Sequence, residues 1–84
     1  MRHAGAAALD RLEGLLGAVR ALGVLSEKSR GVFYRRSRAC LHFHEDPAGL
    51  FADVRPAEAV EFERIKVDEP QGQARLLERL AEIS

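Results

Sequence analysis

Eighty-four residues suffice for one hydrophobic core and not for two, so 1–84 reads as a single domain. Apolar residues at 46% and charged residues at 31% exclude a disordered chain, and no apolar run approaches the ~20 residues that cross a bilayer. The formal charge is zero, and the lone cysteine, Cys40, excludes an internal disulfide, which points to a reducing, cytoplasmic setting.

The first residues run into Asp10 and Glu13 without the apolar stretch of ~7–15 residues that a signal peptide needs. Leu9, Leu12, Leu16 and Val19 recur at spacings of three and four, with Leu15 and Leu22 widening the stripe, which predicts an amphipathic helix over 6–22. Gly14 and Gly17 weaken such a helix, so another backbone is expected to pack close to them. Gly23 is a natural left-handed cap, and the polar segment 26–31 reads as a loop.

From Val32 the period changes to two. Val32-Phe33-Tyr34 is a β-favouring run that Arg35-Arg36-Ser37-Arg38 turns back. Ala39, Leu41 and Phe43 then alternate with Cys40, His42 and His44, the pattern of a half-buried strand. Glu45 to Gly49 is a turn, and Leu50, Ala52 and Val54 alternate with Phe51, Asp53 and Arg55 up to Pro56. A fourth strand over 60–67 slips in phase, as a bulge near Glu63-Arg64 or a strand buried differently at its two ends would cause. Asp68 with Gln71 reads as a capping box for a last helix with Leu76, Leu77, Leu80 and Ile83 inward. The expected fold is α+β: a two-layer sandwich of an N-terminal helix, a three- to four-stranded antiparallel meander and a C-terminal helix.

The segment Gly31-Val32-Phe33-Tyr34-Arg35-Arg36-Ser37-Arg38-Ala39-Cys40-Leu41-His42 resembles the strand–turn–strand core of small bacterial proteins of the YjbR/MmcQ kind. In that group an aromatic strand, a basic turn and a second apolar strand follow an N-terminal helix. The resemblance covers about a third of the chain. Members of the group are mostly uncharacterised, so it implies a fold and no particular activity.

Chemistry concentrates between Cys40 and Asp46. On a strand, Cys40, His42 and His44 share one side, successive members about 7 Å apart. His42 and His44 can converge on one ion, whereas Cys40 and His44, about 13 Å apart, cannot both reach it. The third ligand would come from Asp53 on the adjacent strand or Asp46 at the turn, and zinc or another borderline divalent ion suits such a set. The plainer reading makes the histidines the polar face of a half-exposed strand, beside Asp53 and Arg55.

A second feature is basic. Lys28, Arg30, Arg35, Arg36 and Arg38, interleaved with Phe33 and Tyr34, offer charge and rings of the kind that bind single-stranded nucleic acid. Overall neutrality argues against it, and a solvated turn or an acidic protein partner accounts for the same arginines. Residues 1–44 hold eight Lys/Arg against three Asp/Glu, and residues 45–84 hold five against ten, which favours joining two halves of one fold or two copies of the chain.

No Gly-rich phosphate loop, serine elbow or Cys-x-x-Cys appears, and no catalytic constellation assembles. These residues point to a non-catalytic interaction or binding module of the bacterial cytoplasm, without a resident cofactor. Phe51, facing away from Leu50, Ala52 and Val54, points to a homodimer. The alternatives are metal binding through His42, His44 and Asp53, or nucleic-acid binding through Tyr34, Arg35, Arg36 and Arg38.

Overall fold

A two-residue strand, β1 (Arg2–His3), precedes two helices, α1 (Ala6–Arg11) and α2 (Glu13–Leu22). Four strands then follow in close succession: β2 (Ser26–Ser29), β3 (Val32–Arg35), β4 (Arg38–Asp46) and β5 (Gly49–Val54). A longer connection leads to β6 (Glu63–Lys66) and the last helix, α3 (Pro70–Ile83). The computed structural model describes residues 1–56 and 58–83.

The sheet is antiparallel throughout, in the order β2-β3-β4-β5-β6, with β1 pairing along β4. Short connections favour this arrangement, because antiparallel neighbours can be joined by a tight turn. At the β3–β4 turn Arg36 (φ 53°) and Ser37 (φ 70°) both take left-handed backbone, as a two-residue hairpin turn between right-twisted strands requires.

Alternation sorts the side chains by face. Leu41 and Phe43 of β4, Leu50, Ala52 and Val54 of β5 and Ile65 of β6 are buried in one cluster with Leu9, Leu12, Leu16 and Val19 of the N-terminal helical segment and Leu76 and Leu80 of α3. The helices therefore cover one face of the sheet, and the molecule is a two-layer α+β sandwich. Truncating a side chain such as Leu41 to alanine would cost about 2–5 kcal/mol at this density of burial. Among the described residues, no helix is long and apolar enough to cross a membrane.

Several details depart from the sequence reading, each for a local reason. The helix over 6–22 is interrupted at Leu12 (φ −100°, ψ 8°), yet Leu12 N–H still donates to Ala8 and Leu9 carbonyls and the apolar stripe runs through. Segment 26–31 is not all loop. Ser26–Ser29 forms an edge strand, whose backbone needs no apolar side chains to pair and whose polar composition protects the edge. Glu27 is held there by Arg20, at 2.6 and 3.0 Å. The slip expected over 60–67 resolves because the strand begins only at Glu63, leaving Val60 82% exposed in the preceding loop. Helix α3 starts at Pro70, and the Asp68 carboxylate is ion-paired with Lys66 at 3.1 Å.

The glycines divide in a way that composition does not reveal. Gly14 and Gly17 have open space where a Cβ would stand, so nothing packs close to them, contrary to the expectation. At Gly72, by contrast, a Cβ would overlap the carbonyl oxygen of Lys66, so the first turn of α3 sits on the end of β6 because that residue has no side chain.

Candidate metal centre

The period-two pattern that sends Leu41 and Phe43 beneath the helices sends His42 and His44 to the opposite face. The β4–β5 register sets His42 across from Asp53 and His44 across from Phe51. On the other side of β4, strand β1 sets His3 across from His44. That short strand is fastened by Ala4 N–H donating to the Phe43 carbonyl at 3.0 Å and Gly5 N–H donating to the Glu45 carboxylate at 2.7 Å. Arg2 adds a guanidinium hydrogen bond to Glu45 at 3.1 Å.

Three imidazoles thereby meet on one patch. Ring centroids lie 4.7 Å apart for His3 and His44, 4.9 Å for His42 and His44 and 5.6 Å for His3 and His42. One ligating nitrogen from each lies within 4.8 Å of the other two. Zn–N bonds of ~2.0–2.1 Å in a tetrahedron place the nitrogens about 3.3 Å apart, so the rings would have to close in on a bound ion. His3 is exposed, while His42 and His44 are half-buried. Phe62 closes one side, edge-on to His42 at 4.7 Å, with the Arg55 guanidinium 4.4 Å over its ring.

The electrostatics favour neutral imidazole, the ligand form. Burial pushes His42 below its ordinary value, and the neighbouring His44 adds to this against the pull of Asp53. Burial likewise pushes His44 down, with Asp53 opposing and His3 reinforcing. Nδ1 of His42 is buried without a hydrogen-bond partner, a position that a bound cation would satisfy. Three imidazoles are of the donor type that divalent transition ions take.

Asp53 lies behind this cluster. It is 5% exposed, and Arg64 grips it with two hydrogen bonds of 2.8 Å each. Burial acts to raise its pKa, but the Arg64 hydrogen bonds and charge outweigh it and hold the carboxyl below its ordinary value. Its Oδ2 is 3.1 Å from His44 Nδ1. Asp46, the other expected ligand, turns instead to Ala48 N–H at 3.1 Å and to the N-terminal amino group at 3.8 Å. Cys40 shares the face but is 3% exposed, its thiol donating to the Arg55 carbonyl at 3.2 Å. Burial pushes that thiol up, which disfavours the thiolate.

The structure parts the basic set. Arg30 is paired with Asp10 and Glu13, both at 2.8 Å, and Arg38 donates to the Ala59 carbonyl at 2.7 Å. Lys28 lies 5.9 Å over Tyr34. Phe33 belongs to the core, 1% exposed, and is not available to stack on a base. Arg35 and Arg36 line a surface cavity of about 400 Å³ together with Pro56, Glu58 and Arg79, where acidic and basic groups are mixed.

The sequence places His42 and His44 on one side of a strand and gives no sign that His3 joins them. Two residues are too few to show a period, and nothing local in Arg2-His3 announces a partner strand at the far end of β4. Comparison of the chain with protein-family models, with curated proteins and with solved structures finds no match.

Proposed function

We propose that this protein is a small binding module whose ligand is a divalent transition-metal ion, held by His3, His42 and His44. The observation that supports it most is the convergence of three imidazole nitrogens within 4.8 Å on one sheet face. Strands β1 and β4 bring them together, and the buried Nδ1 of His42 has no protein partner. Three neutral imidazoles suit zinc and its neighbours in the first transition row better than calcium or magnesium, which prefer oxygen. The ion would leave the protein's own groups to bind and orient it, with room beside the exposed His3 for a further ligand from solvent.

Calorimetric titration of tag-free, metal-stripped protein with zinc chloride tests this. One ion per chain is expected, with saturable binding lost in the His42→Ala/His44→Ala double variant. No saturable uptake by the unaltered protein would overturn the reading. Assembly into a homodimer in the bacterial cytoplasm belongs to the same proposal, since the helices cover only one face of the sheet. Phe51 is half-buried on the other face, so that ring offers a dimer only part of its apolar surface. Sedimentation at micromolar concentration should give twice the 9.3 kDa of one chain, and a single-chain mass would remove the dimer while leaving the metal site standing.

A further inference from the structure

We infer that Asp53, clamped by Arg64, is the positioning residue of this centre: it keeps the ring proton of His44 on Nδ1 and so reserves Nε2 for the metal. The inference rests on the three-histidine reading above and adds which atom binds and what holds it there.

Asp53 is costly to bury. It is the buried charged residue among the described ones, in a sheet whose opposite face already supplies the core. A buried carboxylate persists only when its oxygens are satisfied. The β5–β6 register supplies the first satisfaction by setting Arg64 directly across from Asp53, so that both oxygens accept from one guanidinium. The second comes from β4, where His42 is the cross-strand neighbour and His44 the diagonal one. The diagonal residue makes the contact, with Nδ1 3.1 Å from Oδ2.

A neutral imidazole carries one N–H and one lone pair. Nδ1 of His44 is sealed from solvent, with Asp53 Oδ2 beside it at 3.1 Å but no full hydrogen bond formed. The choice of tautomer is decided all the same. A lone pair on Nδ1 would face carboxylate charge at 3.1 Å and be repelled, whereas a proton there is attracted even along a bent path. The proton therefore stays on Nδ1 and the lone pair falls to Nε2. Carboxylate–histidine pairs behind metal ligands act in this way, fixing the tautomer and raising the basicity of the ligating nitrogen. Arg64 has its own part: by occupying both oxygens it keeps Asp53 an orienting group and not a fourth ligand.

Long-range proton–nitrogen correlation on ¹⁵N-labelled, tag-free, metal-stripped protein at about pH 8, where imidazoles are neutral, reads the tautomer directly. His44 is expected with its proton on Nδ1, and zinc should then shift Nε2 of the same ring. The Asp53→Ala variant should release the tautomer and weaken zinc binding by about 10–100-fold with stoichiometry unchanged. A proton on Nε2 in the unaltered protein, or zinc shifting Nδ1, overturns the inference whether or not the variant folds. If zinc shifts none of the three rings, the metal reading falls and takes the assignment of Nε2 as ligand with it. The tautomer of His44 still judges separately whether Asp53 orients the ring.

Discussion

Gly14 and Gly17 occupy helical positions of α2 with empty space beyond them, while Gly72 is pressed against the Lys66 carbonyl, so one residue type plays opposite roles within one chain. Gly14→Ala and Gly17→Ala should each raise stability by about 0.5–1 kcal/mol in urea denaturation, through a less flexible unfolded chain. Gly72→Ala should lower it by about 1–3 kcal/mol, because backbone must move to admit the methyl group. The histidines supply a pH dependence at the same scale. His42 and His44 are held below their ordinary value of 6.5 in the folded chain, so on acidification the unfolded chain takes up protons first. Their neutral packing is fully effective above about pH 6.5 and is lost as pH falls toward the depressed folded values. Thermal unfolding of the metal-free protein followed from pH 7.5 to 5.5 should show this fall, and a His42→Gln/His44→Gln variant should show a shallower one. The lowered Asp53 and Glu63 carboxyls add a separate loss in more acid solution, where they protonate.

Among the elements, β1 is the one whose order depends most on its neighbours. It contributes two paired residues, a few hydrogen bonds from the adjoining backbone and side chains, and one histidine of the patch. Segments held this lightly open at low cost. A metal shared by His3 and β4 would fasten β1, so amide exchange at Ala4, whose N–H reaches Phe43, should slow on adding zinc and stay fast in a His3→Ala variant. What could be read from the sequence follows the same physics. The faces of β4 and β5 are legible because Leu41, Phe43, Leu50, Ala52 and Val54 alternate with period two, which puts His42, His44 and Asp53 together on the other side; that Cys40 and Asp53 are buried there as well is not legible. Strand β2 was illegible because an edge strand pairs through backbone and carries no apolar signature. The partnership of Asp53 with Arg64 was hidden by the phase slip before Glu63, since Val60 and Phe62 suggested a register that the chain does not adopt.

At the scale of the whole molecule, the charge asymmetry does not drive the halves together. The ion pairs close mostly within each half, Arg20 and Arg30 with Asp10, Glu13 and Glu27, and Arg64, Arg75 and Arg79 with Asp53, Glu63 and Glu82. Most are exposed pairs that contribute little, so the fold is held by the core that joins the single helical layer to the sheet. That core leaves the opposite face free to carry chemistry, and three histidines stand there. X-ray absorption at the zinc edge, on tag-free protein loaded with one equivalent of zinc, probes that patch most directly. The expected first shell is nitrogen and oxygen at ~2.0–2.1 Å with the outer-shell scattering of three imidazoles, reduced to two in His3→Ala. A shell containing sulfur at about 2.3 Å, or one without imidazole scattering, would contradict a centre built from His3, His42 and His44.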